Sequence, residues 1–555
     1  MKIKFHRENN EFLIKSEYKE RNAVKSLGLD LKWNKNSKIW IAKATLDNIE
    51  KIKQLNIPIE NYSIFIEFEN EMQRIDKLAH RIKTNKIKIK KELIPGLKKT
   101  LFAHQETSFA FGLTRGSFAD FSEVGTGKTA VQIALIKYRF EKNLIDRVLI
   151  VCPKSIMYKA WVDDIKKFTT GISWCVLDYG SKKNKYILKY TNYKVYIINY
   201  ASAWRVIDEI REKKFDMCIL DESTKIKNIQ AKVTKNILKN NNFKYRSIMS
   251  GLPTPNSLLE IFPQMRFMNE LIFGDNFYRF KDKYFYPSGY GGYEWKVKSK
   301  KAMNEIKNKI DAYSISFKKD DCFDLPDKIF VERDVELSIE ESNAYKQAKE
   351  EALIILENEI IPLNTILNEL NKLNQITNGF VYSGDKSYRL DNPSKIQELE
   401  TLLEEIISNK NKVIIWATYA ESIQMIFEKF SKKYSAVTMY GKTPQKVRES
   451  NIDRFQNDNN CKLMIAHPGT AGHGLTLTSA NYCIWYSQTY SYESYVQANG
   501  RIDRHGQKKK MTYINLLSKN MNKNTINHVI MSALKRKSKL NDFILENKKR
   551  IINEI

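Results

Sequence analysis

Short apolar runs of strand length alternate with amphipathic helical stretches through most of the chain. In the first half the runs are VLIVCP (148–153), VYIINY (195–200), MCILDES (217–223) and YRSIMSG (245–251), separated by segments such as SIMYKAWVDDIKKF. Strands that are apolar throughout, with helices between them, predict a parallel sheet covered on both faces, with ligands at the carboxyl ends of its strands. The pattern recurs in KVIIWATY (412–419), SAVTMY (435–440), KLMIAHP (462–468), NYCIWYS (481–487) and MTYINLL (511–517). Between them, SKIQELETLLEEIIS sets Ile396, Leu399, Leu402, Leu403 and Ile406 on one helical face. A second parallel sheet is therefore expected.

The amino-terminal stretch reads differently. Alternation in KIKF and FLIK predicts short strands, ERNAVKSLG a helix, LKWNKNSKIWIAK a hairpin turning at 34–37, and TLDNIEKIKQL a second helix. A chain of 555 residues exceeds the ~250–300 at which one core stops growing. The expected division is a small α+β domain (1–62), a basic linker or helix (63–98), a first α/β lobe (99–269), an insertion and brace (270–330) and a second α/β lobe (331–555). Trp33 and Trp40 flank the hairpin turn beside Lys32, Lys35 and Lys38. They admit two readings: stacking on unpaired bases or filling a small core. The aromatic stretch YFYPSGYGGYEWKVKSKK likewise reads as a DNA brace or as a surface loop packed by its own rings.

Charge changes the picture only in part. Lys plus Arg number 93 against 64 Asp plus Glu, a net +29 that suggests a polyanionic partner, although Lys, Asn and Ile are abundant throughout. The six cysteines are scattered with no zinc-ligand spacing, which points to a reducing compartment and no structural metal. No signal-peptide core opens the chain and no window approaches a membrane span, so a cytoplasmic location without a membrane partner is expected.

The candidate chemistry centres on FADFSEVGTGKTA (118–130). Gly125 and Gly127 let backbone N–H groups turn toward a polyphosphate, Lys128 offers a point charge, and Thr129 a hydroxyl for magnesium. Ser122 replaces the first glycine of the general G-x-x-x-x-G-K-[ST] pattern. An ordinary strand-to-helix turn is the alternative. MCILDES ends a strand in Asp221, placed for a magnesium shell, and Glu222, placed to activate water. In QANGRIDRHGQ (497–507), Arg501 and Arg504 stand at i and i+3, a spacing that predicts one helix face directed at a phosphate.

Taken in order, AHQ, SEVGTGKT, VLIVCPKS with Trp161 nearby, INY, LDES, SGLPTPN, GTAGHGLTLTSA and QANGRIDRHGQ resemble the motifs of superfamily 2 helicases, specifically the Swi/Snf-type double-stranded DNA translocases. The resemblance spans about 99–545. The hairpin is weakly similar to the HARP-type module found beside annealing helicases. Lys318 and Lys319 occupy the place of the family's paired arginines, and Asn527 that of an acid in its closing helix.

The resemblance implies two RecA-like parallel-sheet lobes and the use of ATP with Mg2+. The nucleotide would be held by Gln105, Glu123, Val124, Gly125, Thr126, Gly127, Lys128, Thr129, Gly474, Gln497, Arg501 and Arg504, with Thr129 and Asp221 on the metal. Catalysis falls to Lys128, Asp221, Glu222, Arg501 and Arg504. DNA contacts fall to Lys154, Ser155, Asn199, Tyr200, Gly441, Gly472 and Thr476, joined by Trp33 and Lys35 of the hairpin. The implied protein is a bacterial or phage-encoded monomer that translocates on double-stranded DNA and remodels branched DNA. A strand-separating DNA or RNA helicase shares this ATPase, and a basic DNA-binding scaffold with a degenerate site is the non-enzyme alternative.

Overall fold

A computed structural model describes residues 1–29, 31–55, 57–84, 94–239, 242–288, 294–357, 363–384, 386–471 and 475–536. The chain divides into two compact units, residues 1–123 with 127–318, and residues 124–126 with 319–555.

The first unit opens with a five-stranded sheet of β1 (Lys2–His6), β2 (Glu11–Lys15), β3 (Leu31–Asn34), β4 (Ile39–Lys43) and β5 (Ile59–Glu60), in the order β3-β4-β2-β1-β5. Only β1 and β5 pair in parallel. Alternation along β1 and β2 buries Ile3, Phe5, Phe12 and Ile14 on one face. That face packs on α1 (Arg21–Ser26), α2 (Leu46–Gln54) and the start of α3 (Tyr62–Thr84), which supplies Phe65 and Phe68. The core of this α+β module thus runs past residue 62.

Helix α3 is more than a charged spacer. Farther along it, Ala79 and Ile82 join a core with Phe109, Phe111 and Phe118, so one amphipathic helix ties the module to the lobe that follows. Residues 85–93 of the expected linker lie outside the described residues. Trp33 and Trp40 are paired across the hairpin with ring centroids 4.9 Å apart. Trp40 is 7% exposed and fills the core, whereas Trp33 is 43% exposed and keeps a solvent face.

The rest of the first unit is a seven-stranded sheet ordered β14-β6-β11-β10-β7-β9-β8. It comprises β6 (Phe118–Asp120), β7 (Val148–Cys152), β8 (Trp174–Leu177), β9 (Val195–Asn199), β10 (Met217–Asp221), β11 (Tyr245–Met249) and β14 (Ser314–Ile315). Every neighbouring pair is parallel. The aromatic stretch forms a hairpin of β12 (Phe285–Ser288) and β13 (Glu294–Val297). Tyr284 and Phe285 are buried against Phe280, and Lys281 Nζ lies 3.4 Å from the Trp295 ring centroid, so three of the four rings among the described residues pack on the lobe, while Tyr286 is exposed. The tip at 289–293 lies outside the described residues.

The second unit is built on a sheet ordered β15-β22-β21-β18-β20-β19, parallel throughout, with β23 (Lys523–Asn524) antiparallel on β22. Its strands are β15 (Lys328–Glu336), β18 (Val413–Trp416), β19 (Val437–Met439), β20 (Leu463–Ala466), β21 (Tyr482–Trp485) and β22 (Met511–Asn520). A hairpin of β16 (Phe380–Ser383) and β17 (Lys386–Arg389) stands apart. The helix Ser394–Ser408 buries all five residues of its apolar face. Strand β15 does not stand out in the sequence because it is an edge strand with mostly exposed side chains.

Beside that helix face, Lys395 is fully buried, its Nζ donating to Tyr486 O (3.1 Å) and Asn527 Oδ1 (2.8 Å). Burial pushes its ammonium down to about 7, against the pull of Glu341. Between pH 7 and the ordinary lysine range the unfolded chain therefore binds more protons than the folded one. Stability rises with pH there by up to about 1.4 kcal/mol per unit. Thermal melts between pH 7 and 9 are expected to show this rise in the wild type and a flatter profile in Lys395→Met.

Candidate active site

The carboxyl ends of the first lobe's parallel strands bring the phosphate-loop motif and the acidic pair together. Strand β6 ends in Asp120 and the chain turns through Gly125 (φ +95°) and Gly127 (φ +83°), both in the region that favours glycine. A Cβ on Gly127 would stand 2.3 Å from Gln105 Nε2. Helix α4 (Ala103–Arg115) holds Gln105 there, 4% exposed, its Oε1 accepting from Phe102 N (3.0 Å) and its Nε2 donating to Gly127 O (3.5 Å). Gln105 therefore backs the loop from behind. Lys128 opens α5 (Lys128–Glu141), and its Nζ donates to Ser122 O (2.7 Å) and Glu123 O (3.2 Å), so the loop wraps its own lysine. Thr129 is half-buried in the same first turn, Glu123 is exposed, Val124 is half-buried and Thr126 is buried.

The departure at Ser122 has a structural use. Its hydroxyl accepts from Phe317 N (3.2 Å) and its own N–H donates to Asp120 Oδ1 (3.0 Å). Burial raises the Asp120 carboxyl, with the Lys128 charge opposing.

Asp221 closes β10, all of whose residues are buried. Its Oδ2 accepts from Trp161 Nε1 (2.9 Å) and its Oδ1 from Glu222 N (2.9 Å), while its carbonyl accepts from Tyr200 OH (2.9 Å). Burial raises the carboxyl to about 7, helped by the neighbouring Glu222 charge and opposed by Lys128, the Trp161 hydrogen bond and the Glu222 N–H. Glu222 sits in the left-handed region (φ 52°, ψ 59°), costly for a non-glycine residue, and heads the turn Ser223–Ile226. Trp161 reaches Asp221 from a π-helical stretch, Met157–Val162. The sequence marks Trp161 only as lying near VLIVCPKS; its hydrogen bond to the carboxylate is a structural finding.

SGLPTPN connects to this pair through a residue outside every motif. Ser223 Oγ donates to Gln264 Oε1 (2.7 Å), and Gln264 Nε2 donates to Pro253 O (2.7 Å). Both side chains are buried, so the acidic turn and Pro253 are joined without a solvent gap.

In the second unit the helix Tyr492–Asn499 ends with Gly500 as its cap, and 501–506 forms successive turns. Arg501 and Arg504 thus do not share a helix face, as the i and i+3 spacing predicts, because Gly500 stops the helix ahead of both. Arg501 is fully buried, Nε donating to Gln497 O (2.9 Å) and Nη1 to Leu475 O (3.0 Å). Arg504 is partly exposed and its Nη1 donates to Thr476 Oγ1 (3.0 Å). Gln497 is buried. Between the arginines, Asp503 Oδ2 accepts from Lys319 Nζ (2.7 Å) and Lys328 Nζ (3.2 Å).

The expected DNA contacts separate. Asn199 and Tyr200 are each 7% exposed: Asn199 caps the helix Tyr200–Ala203 by accepting from Ser202 N, and Tyr200 props Asp221. Their polar atoms are engaged inside the fold, which corrects their assignment to a DNA-facing surface. Lys154 is exposed and bridged to Asp178 (2.9 Å), and Ser155 is half-buried beside it. Gly441, Thr476, Trp33 and Lys35 are exposed. Gly472, His473 and Gly474 lie outside the described residues. No cluster of three or more His, Cys, Asp or Glu suited to a metal, and no helix long and apolar enough to cross a membrane, occurs among the described residues.

Trp161→Phe keeps an aromatic ring in the core and removes the N–H from a buried carboxylate, the smaller ring adding a cost that does not vary with pH. The expected cost is about 1–3 kcal/mol at pH 8, shrinking toward pH 5, where Asp221 is protonated in both proteins. Paired thermal melts at the two pH values check it.

Two family models match in tandem, the SNF2-related domain over residues 115–381 and the helicase conserved C-terminal domain over 394–506. An uncharacterised ATP-dependent helicase of Mycoplasma genitalium is 26% identical over 73% of this chain, which spans 38% of that protein's length. Protein p41 of Acyrthosiphon pisum secondary endosymbiont phage 1 is 24% identical over 77% of this chain and 94% of its own. A solved SWI2/SNF2 ATPase core from Sulfolobus solfataricus, in complex with dsDNA, is similar over 85% of this chain and 99% of that one, at 22% identity and a TM-score of 0.40. The two matches together assign residues 115–381 to the SNF2-related domain family and residues 394–506 to the helicase conserved C-terminal domain family.

Proposed function

We propose that this chain is a DNA-stimulated ATP hydrolase that translocates along double-stranded DNA and remodels branched DNA. The observation that carries the reading is Asp221 with Glu222 at the end of β10, in the electrostatic field of Lys128. A divalent cation suits these residues. Asp221 is a buried carboxylate with a second acid beside it, and among the described residues no cationic side chain is bonded to it. Thr129 and Asp221 would hold magnesium, which supplies charge neutralisation on the bound phosphates.

The remaining chemistry belongs to the chain. Backbone N–H groups of 124–129 and the Lys128 ammonium bind the polyphosphate, with Lys128 leaving its loop carbonyls to do so. Glu222 orients the attacking water and takes its proton. Gln105 keeps the loop open from behind. Trp161 and Tyr200 hold Asp221 in place, and the Ser223–Gln264–Pro253 path carries the state of the acidic turn to 250–256. We assign the arginine that stabilises the transferring phosphoryl group to Arg504, while Arg501, folded onto its own chain, shapes the turn that presents it. Lys154, Ser155, Gly441, Gly472 and Thr476 would meet DNA phosphates without sequence readout, joined by Trp33 and Lys35. The names of relatives, ATP-dependent helicases and a SWI2/SNF2 core with dsDNA, support ATP and duplex DNA as the ligands. The phage relative supports the cytoplasm of a bacterial or infected cell as the place of action, and action as a monomer is part of the proposal.

Steady-state hydrolysis with and without a long linear duplex tests the activity: stimulation of tenfold or more is expected, with Lys128→Ala and Glu222→Gln at background. Turnover that ignores duplex, or survives both substitutions, removes the proposal. A second comparison separates the arginines. Arg504→Ala is expected to lose turnover by ~10³-fold at an unchanged melting temperature, whereas Arg501→Ala lowers the melting temperature as well, by leaving Gln497 O and Leu475 O unpaired.

A further inference from the structure

The amino-terminal module and the first lobe enclose a cleft of about 730 Å³ that neither family match reaches from the module side, since the first begins at residue 115. One wall comes from β2, β3 and β4, the other from the helices Lys232–Lys239 and Phe277–Tyr284. Lys32 bridges Asp275 (2.8 Å) and Arg279 Nη2 donates to Leu31 O (3.1 Å), so the docking of the module is what creates the cavity.

Six cations line this cleft against two acids. Both acids are already matched, Asp275 by Lys32 and Glu11 by Lys43 (3.0 Å), and Arg266 faces Glu270 (3.6 Å). Lys235 and Lys239 remain, exposed and without a side-chain partner among the described residues. They stand one helical turn apart on a helix whose opposite face buries Thr234 and Ile237. Two uncompensated ammonium groups at that spacing, on a concave wall, match successive anionic groups of a linear polymer. An aromatic surface lies with them. Tyr278 is 60% exposed, yet its hydroxyl accepts from Gln230 Nε2 (3.1 Å), which fixes the ring.

We propose that this cleft binds a single strand of nucleic acid, its phosphates on Lys235 and Lys239 and a base on Tyr278. A basic groove with stacking rings is the arrangement that holds unpaired strands without sequence preference. The volume is that of a small-ligand site and takes a strand's backbone with a base or two; a double helix does not enter it. The site rests on the reading of DNA as this protein's partner and deepens it: a motor lobe that carries a single-strand site on its flank recognises a junction where duplex and unpaired strand meet.

The test uses the full chain and a fluorescein-labelled oligo-dT read by anisotropy. Lys235→Glu combined with Lys239→Glu is expected to weaken oligo-dT binding at least tenfold and to reduce the slope of log affinity against log salt by about 1.4, the value for two lost single-strand contacts. Tyr278→Ala is expected to weaken binding with the slope unchanged. Hydrolysis stimulated by a duplex with both ends closed by hairpins, and the melting temperature, stay at wild-type values in all variants. Unchanged oligo-dT affinity in the double variant overturns the proposal, as does an equal loss of oligo-dT binding and closed-duplex stimulation, or displacement of oligo-dT by polyglutamate at equal charge concentration. A wild-type protein that binds oligo-dT through these lysines yet hydrolyses no ATP sinks the motor reading and leaves the cleft standing.

Discussion

The first lobe depends on one buried charge. Asp221 sits buried at the end of a central strand, and an unmatched interior carboxylate costs several kcal/mol. Trp161 and the Glu222 N–H occupy its two oxygens and Tyr200 holds its carbonyl. Each support imposes a local irregularity: a π-helical stretch turns Trp161 inward, and Glu222 adopts a left-handed backbone. These are costs a purely structural lobe has no reason to carry. They leave a carboxylate raised in pKa and a second acid beside it, near a lysine wrapped in a glycine loop.

The parallel sheets are legible in the sequence because a strand buried on both faces is apolar throughout, and VYIIN and MCILD leave little else to read. Strand β15 is not legible, since its partner β22 is buried while its own side chains face solvent. The same division holds at the site. Contiguous motifs announce Lys128, Asp221 and Glu222, but Asp120, although it lies in the same stretch as Lys128, is no part of the phosphate-loop pattern, and Gln264 acts from elsewhere in the chain with no spacing signal. The role of Trp161 is equally hidden, though a tryptophan within an amphipathic segment is the kind of residue that fills a core. Asn199 and Tyr200 show the converse: their motif is visible, yet it serves a helix cap and a prop under a carboxylate.

The arginine motif divides its labour in a way that pattern alone does not predict. Gly500 ends the helix, and the turns that follow bury Arg501 on its own carbonyls and leave Arg504 partly exposed. Asp503 between them anchors Lys319 and Lys328. Burial lowers the Lys319 ammonium while Asp503 supports its charge, so removing either partner strands a charge in the interior. Lys319 stands at the position where the family resemblance places an arginine, and a single ammonium suffices there because Asp503 supplies both a carboxylate and a carbonyl.

Hydrolysis is only the means in this account; movement along an intact duplex is its central claim. The most direct measurement is displacement of a fluorescent third strand from a triplex by the full chain. The expected displacement requires ATP, proceeds on blunt duplex, and leaves the two underlying strands paired. ATP hydrolysis without displacement, or separation of a tailed duplex with the triplex left intact, would contradict it.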